Sequence, residues 1–146
     1  MKAAQNRAIK ADLKSRWHKD WTNGRNNAKQ LRRLTQHPNT TPGTKLYAQI
    51  ENRRHLAWIA RLRTGHVQLN KYLHRFNIIE DPMCECNEAP ETVEHFLLKC
   101  ELWDEERDAL RRRVGPQDMR VESLLGNTDL IKETISFIEA TSRLEF

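Results

Sequence analysis

All three cysteines of this chain lie within seventeen residues, together with one histidine. Cys84 and Cys86 are one residue apart, His95 follows after eight more residues, and Cys100 follows after a further four, which gives the pattern C-x-C-x8-H-x4-C. Structural zinc is bound by four thiolate and imidazole ligands in a tetrahedron, and three cysteines with one histidine form a complete set. We therefore predict a closed Zn²⁺ site with Cys84, Cys86, His95 and Cys100 as its ligands.

Two other interpretations of this segment remain. The cysteines could be free thiols beside a surface histidine, as is common in a reducing compartment, or they could form disulfides. The odd number of cysteines and the single residue between Cys84 and Cys86 argue against a disulfide framework. The short spacing of four candidate ligands favours zinc.

The residues around the cysteines fit such a site. Asn87 tolerates the left-handed conformation that a tight turn after the Cys-x-Cys pair requires. Thr92 is predicted to cap a short helix that carries His95. On a continuous helix Cys100 would lie about 140° away from His95, so we expect the helix to end near Lys99 and the chain to turn back.

Composition indicates a soluble, intracellular protein of one modest domain with a lead segment. The 146 residues contain 38% hydrophobic residues and no apolar run of membrane-spanning or signal-peptide length. We expect the protein to be located in the nucleus or the cytoplasm and to have no membrane partner.

Charge is unevenly distributed along the chain. Residues 1–80 have 17 Lys and Arg against 4 Asp and Glu, a net charge of +13, whereas residues 81–146 have 8 against 16, a net charge of −8. A basic half of this size indicates nucleic-acid binding or pairing with the acidic half of the same chain.

The apolar spacing predicts an all-α fold, a small multi-helix domain stapled by the zinc site. A basic amphipathic helix over 3–22 carries a stripe of Ile9, Leu13, Trp17 and Trp21. Further helices are predicted over 27–36, 46–63, 67–76, 102–114, 121–125 and 129–141, the last capped by Thr128. The stretch His37–Gly43 is the predicted linker, which divides a basic helical lead segment (1–43) from a helical zinc-binding domain (44–146).

The two middle helices carry the candidate binding residues. Asn52 is a possible internal cap in the helix over 46–63. In its part Arg53–Arg63 apolar residues occur all round, so this helix is predicted to be central, and Arg63 is predicted to be buried. Two alternatives are open for Arg63: a buried pair with Glu91 or Glu94, or an ordinary bond to the last carbonyls of its own helix. In the helix over 67–76, Phe76 is predicted to point inward with Leu69, Tyr72 and Leu73. The predicted nucleic-acid-binding residues, for RNA or DNA, are Arg54, Arg61, Lys71 and Arg75. The alternatives are that they form a solvated face or pair with the acidic C-terminal half.

Several motifs resemble one known family. These are Leu62–His66, Tyr72-Leu73, the Cys-x-Cys turn, the segment Glu91–Cys100 and Arg107. Together they resemble the C-terminal zinc-binding (CCHC-type) region of non-LTR (LINE-type) retrotransposon reverse transcriptase/RNase H polyproteins, over about residues 54–110. Many members have Gly where this chain has Asn87. The resemblance implies the same four metal ligands, and a module that assists a polyprotein, next to its other domains, with element RNA or target DNA.

No enzymatic machinery is expected in the chain itself. The polymerase of that family uses paired aspartates, and Asp-Asp does not occur in this sequence. Residues 1–80 hold only Asp12, Asp20, Glu51 and Glu80, too few for an RNase H site, and 46 residues after Cys100 are too few for a separate nuclease domain. We expect a non-catalytic zinc module that binds nucleic acid. The alternative is a zinc-stabilised protein-interaction module, in which Trp17 and Trp21 dock onto a neighbouring domain.

Overall fold

The structure, a computed structural model, describes residues 2–24, 29–35 and 45–145. Within these residues the regular structure is helical, apart from one isolated antiparallel bridge between Met83 and Pro90. This confirms the predicted all-α, multi-helix fold. The α-helices are α1 (Lys2–Asn23), α2 (Lys29–Leu34), α3 (Arg53–Thr64), α4 (Asn70–Arg75), α5 (Val93–Leu98), α6 (Asp104–Val114), α7 (Val121–Gly126) and α8 (Ile131–Thr141), with 3₁₀ turns at Glu101–Trp103 and Pro116–Asp118.

Helix α3 is central, as predicted, but shorter than expected. Residues 45–47 are helical, the chain then turns, and a new helix begins at Arg53. Asn52 causes the break, because its side chain accepts a hydrogen bond from the Arg54 backbone N–H at 2.9 Å and so caps a helix start. Gly65 ends the helix in the left-handed conformation, with a φ of 76°.

Two other predicted helices begin later than expected. Helix α4 starts at Asn70, because Leu69 is extended and buried where a helical residue was predicted. Phe76 was predicted to point inward, and this is wrong: it is 53% exposed. Helix α8 starts at Ile131 without the predicted Thr128 cap, since Asn127 forms a turn in front of it and accepts a hydrogen bond from the Asp129 N–H at 3.0 Å.

The core lies between the central helix and the C-terminal helices. Helix α6 packs along α8, while α2 packs against α3 and α7. The ring centres of Phe96 on α5 and Phe137 on α8 lie 5.5 Å apart, so these two rings pack the two helices together. Trp58 is buried in α3, and its indole N–H donates to the Leu144 carbonyl at 2.7 Å. The largest fully buried side chains are Leu46, Trp58, Ile59, Leu62, Leu69, Phe96, Leu97, Leu124, Leu125, Ile131, Ile138 and Leu144.

Arg63 is buried, as predicted, but without a carboxylate partner among the described residues. Its guanidinium donates to the Leu125 carbonyl at the end of α7 and lies 5.8 Å from the ring centre of Tyr47. The last carbonyls of a helix lack intrahelical partners and carry partial negative charge, which suits a cation. The predicted partners bind elsewhere: Glu91 pairs with Arg143, and Glu94 with Lys99 at 2.8 Å.

Helix α1 confirms the predicted helix over 3–22, and it ends at Asn23 beside Gly24 as expected. Its apolar stripe remains open: Ile9, Leu13 and Trp17 are each more than half exposed. Trp21 is half-buried, and its indole N–H donates to the Thr35 carbonyl at 3.1 Å. None of the described helices is long and apolar enough to span a bilayer. The predicted linker His37–Gly43, and with it the predicted domain boundary, lies outside the described residues.

Candidate metal centre

The four predicted ligand side chains converge on one point. Their ligand atoms all lie within 4.8 Å of one another, with 3.5 Å between the Cys84 and Cys100 sulfurs and 3.3 Å between the Cys86 sulfur and His95 Nε2. Zinc at about 2.3 Å from sulfur and about 2.0 Å from nitrogen sets tetrahedral edges of about 3.8 Å and about 3.5 Å. The two short separations are close to these edges, so the four side chains are arranged near enough to one another to share one metal ion. The sulfurs are too far apart for a disulfide, and all three thiols are free.

A short hairpin supplies the first two thiols. The Glu91 N–H donates to the Pro82 carbonyl, and the Cys84 N–H donates to the Ala89 carbonyl, each at 2.9 Å. At its tip the Asn87 N–H donates to the Cys84 carbonyl at 2.9 Å, and Asn87 has a φ of 63°. Asparagine takes the left-handed conformation at a lower cost than most residues. The predicted tight turn is present, and Asn87 occupies the conformation for which glycine is the usual residue.

Helix α5 and its end supply the other two ligands. The Thr92 hydroxyl accepts a hydrogen bond from the His95 N–H at 3.0 Å, which is the predicted cap. The helix ends at Lys99, also as predicted, where the Lys99 and Cys100 N–H groups both donate to the His95 carbonyl, at 2.9 Å and 2.8 Å. This tight ending turns Cys100 back toward His95.

A buried arginine fixes the backbone behind this turn. Arg107 on α6 is 3% exposed, and its guanidinium donates to the carbonyls of Leu97 and Cys100 and to the Asp104 carboxylate. It therefore binds the Leu97 carbonyl in the last turn of α5, which lacks an intrahelical partner, and the Cys100 carbonyl just beyond the helix. In the sequence, Arg107 is one of the motif residues, and it flanks the apolar stripe of Trp103, Leu110 and Val114. A cation that flanks an apolar stripe of a helix is the sequence pattern from which a buried arginine could have been predicted here.

A second buried ion pair holds the hairpin from the other side. Glu91 is 3% exposed, and its carboxylate accepts two hydrogen bonds from Arg143, at 2.7 Å from Nε and 2.6 Å from a terminal nitrogen. It also accepts from the Asn70 N–H at 2.7 Å, while the Asn70 side-chain amide donates to the Met83 carbonyl at 2.6 Å. Sequence reasoning missed this pair, since the two partners are 52 residues apart and no local pattern links them.

The surroundings shift the ionisation of the cluster. Burial raises the pKa of the Cys84 thiol, and it raises the pKa of Cys100 to about 12. A hydrogen bond from the Glu88 backbone lowers the pKa of Cys86, whereas burial lowers the pKa of His95 and favours its neutral imidazole. Neutral imidazole is the form that binds a metal, and thiols release protons when they become ligands. The set of one imidazole and three thiols suits a soft or borderline cation.

The four predicted nucleic-acid-binding residues are all exposed. Lys71 and Arg75 on α4 line a groove of about 470 Å³. Arg54 and Arg61, seven residues apart on α3, lie outside the groove lining, and Arg54 lies 5.3 Å from the ring centre of Trp58. Among the described residues, none of the four forms an ion pair with a carboxylate.

The chain has a partial, distant similarity to Pol polyproteins of non-LTR (R1) retrotransposons. It is 33% identical over 51 residues to a retrovirus-related Pol polyprotein from type-1 retrotransposable element R1 2 of Nasonia vitripennis, a match that covers 35% of this chain and 12% of that protein. A second match, to the corresponding R1 polyprotein of Bradysia coprophila, is 38% identical over 45 residues and covers 31% of this chain and 4% of that protein. No family model matches the chain, and no solved structure is significantly similar.

Proposed function

We propose that this chain is a non-catalytic zinc module that binds nucleic acid and corresponds to the C-terminal zinc-binding region of a non-LTR retrotransposon Pol polyprotein. The partial similarity to R1 Pol polyproteins and the Cys84/Cys86/His95/Cys100 cluster support this origin. In such a polyprotein the module would lie in the same chain as a polymerase domain. It could then bind the nucleic acid on which the polymerase acts, without catalytic groups of its own.

Zinc is the proposed metal, and its role is structural. Three thiolates and one imidazole complete a tetrahedron, so no position is left for a substrate or a reactive water. Of the four glutamates between Cys84 and Cys100, Glu91 pairs with Arg143 and Glu94 with Lys99. A hydrolytic role would need an open coordination position and a free general base, and the proposal assigns neither.

The proposed nucleic-acid surface consists of Arg54, Arg61, Lys71 and Arg75. The observation that carries it is that these four exposed cations have no carboxylate partner among the described residues. Other basic residues do pair with the acidic half, as Arg33 does with Glu122 at 3.1 Å and Arg113 with Glu133 at 3.0 Å. Cations without such a partner remain available for phosphate groups, whose neutralisation releases counterions and drives binding.

A salt series tests this surface. We expect the variant Arg54→Ala/Arg61→Ala/Lys71→Ala/Arg75→Ala to bind labelled RNA and DNA more weakly than wild type. Its plot of log affinity against log salt should be shallower by about one unit for each cation that no longer neutralises a phosphate. The matched control is Arg111→Ala/Arg112→Ala/Arg113→Ala/Lys132→Ala, which removes the same charge from exposed positions in the acidic half. Equal affinities and slopes for the two variants would reject the proposed surface.

A second candidate function is a protein-interaction module, favoured by the open stripe of α1. Ile9, Leu13 and Trp17 are 57%, 59% and 52% exposed, although their spacing is that of a helix packed on a partner. In that case zinc only stabilises the fold, and the stripe docks onto a neighbouring domain of the polyprotein. Absence of nucleic-acid binding by the wild type at low salt would favour this second function over the first.

A further inference from the structure

A row of aromatic rings lies along α4 and the turn before it. The His66 and Tyr72 ring centres are 5.6 Å apart, and the Tyr72 and Phe76 ring centres are 4.9 Å apart. Tyr72 is half-buried, whereas Phe76 is 53% exposed. Exposure of a phenylalanine side chain to water is unfavourable. The Tyr72 ring packs against Phe76, yet about half of Phe76 remains exposed. The row thus ends in a ring surface that is open to solvent.

Positive charge lies directly beside this ring. The Arg75 guanidinium lies over the Phe76 ring, 5.8 Å from its centre. Lys71, Tyr72 and Arg75 also line the groove of about 470 Å³, and Phe76 follows directly after this lining in the sequence. The carboxylate in the groove lining, Glu91, is buried and bound by both of its oxygens to Arg143. Its charge is therefore compensated, and the exposed cations determine the charge that a ligand meets.

We propose that the groove and the exposed Phe76 ring bind single-stranded nucleic acid, a specificity that rests on the nucleic-acid-binding function proposed above. An unpaired base stacks on Phe76 at the end of the ring row, while Lys71 and Arg75 contact the adjoining phosphates. Proteins that bind single strands combine a basic groove with aromatic side chains in this way. In a duplex the base faces are covered by neighbouring bases, so a ring at the surface has nothing to stack on.

The test compares single strands with duplexes of the same sequence, as RNA and as DNA, at fixed salt. Base–aromatic stacking predicts that Phe76→Leu weakens single-strand binding by roughly 5- to 100-fold. Duplex affinity should change by less than about twofold, because only phosphate contacts remain. Phe76→Trp, which keeps a ring, should retain single-strand affinity. Ile78→Ala is the matched control, since Ile78 is an exposed apolar residue, 65% exposed, without a ring.

The outcomes separate the two proposals. A wild type that prefers single strands, with a loss on Phe76→Leu that Phe76→Trp avoids, supports the stacking site. Equal single-strand affinity of Phe76→Leu and wild type, or a wild-type preference for duplex, overturns the stacking site but leaves nucleic-acid binding in place. Absence of binding to every probe overturns the underlying function as well. Unchanged metal content and thermal midpoint show that each variant is folded.

Discussion

Helices α1 and α8 have similar apolar stripes and opposite environments. Residues of the α8 stripe, Ile131, Ile135 and Ile138, are at most 7% exposed, whereas those of the α1 stripe, Ile9, Leu13 and Trp17, are at least 52% exposed. Helix α8 packs against α6 and α7, whereas Trp21 near the end of α1 donates a hydrogen bond to the Thr35 carbonyl just after α2. Helical spacing of apolar residues thus predicts the helix, while burial depends on whether another element lies opposite the stripe.

The two regions also differ in how their polar groups are used. Within residues 45–145, the side chains of Trp58 and Arg63 donate to backbone carbonyls that are 86 and 62 residues away in the sequence. The interactions within α1 are local, such as that of Arg16 with Asp12 at 3.0 Å between exposed side chains. Exposed pairs of this kind contribute little to stability. The stability of the chain should therefore reside in residues 45–145, and the following predictions test that contrast.

The largest effect should come from the metal. We expect one zinc per chain, and we expect removal by a chelator, or the change Cys84→Ser, to abolish cooperative unfolding of residues 45–145. Structural zinc contributes on the order of 10 kcal/mol to the folding of small domains. Hydrogen exchange should show reduced protection in α3 and α8 with little change in α1. Full protection of α3 after verified metal removal, or a purified protein without stoichiometric zinc, would contradict the structural role.

A smaller effect on the free energy of unfolding should follow when one side chain of each apolar stripe is shortened to alanine. Ile138 is fully buried, and Ile138→Ala should lower the free energy of unfolding by roughly 2–5 kcal/mol, because apolar packing is removed and a cavity is left. Leu13 is 59% exposed, and Leu13→Ala should change the free energy of unfolding by less than about 0.5 kcal/mol. Denaturant unfolding of both variants measures the difference. A large decrease for Leu13→Ala would mean that α1 is packed in solution and that the contrast is wrong.

The smallest effect concerns two threonine hydroxyls. Thr92→Ala removes the α5 cap and should cost about 1 kcal/mol of folding free energy, with weaker metal retention because His95 is on that first turn. Thr92→Ser should restore most of the stability. Thr22 is the control, since its exposed hydroxyl donates to the His18 carbonyl within α1 at 2.8 Å, and Thr22→Ala should have almost no effect. Thermal midpoints that fall equally for Thr92→Ala and Thr22→Ala would show that the cap is unimportant.

Features set by neighbouring residues could be predicted from the sequence. The convergence of Cys84, Cys86, His95 and Cys100, the Thr92 cap and the left-handed Asn87 all depend on short spacings. The same holds for the buried face of α8 and for the end of α6 at Gly115.

Features that depend on distant segments could not be predicted in this way. The partner of Glu91 proved to be Arg143, and Arg63 bonds to Leu125, because these pairings form only when separate helices pack. Phe76 shows the same limit, since the periodicity of its helix favours the inward side but no described element covers it. The start of α3 is different, because its cause is local: Asn52, a possible internal cap in the sequence, accepts a hydrogen bond from the Arg54 N–H and so interrupts the helix predicted over 46–63.

The contacts of Arg143 with Glu91 and of Leu144 with Trp58 have a consequence for the order in which the chain can fold during synthesis. All four metal ligands leave the ribosome well before residue 143, so zinc can bind to a nascent chain whose Glu91 is still unpaired. The hydrogen bond of Trp58 requires a still longer stretch of chain to be synthesised, since its partner Leu144 is 86 residues further along. Domains fold as units as translation proceeds. We expect the metal site to form first and the core around Trp58 to close only after translation reaches the last helix and the residues beyond it.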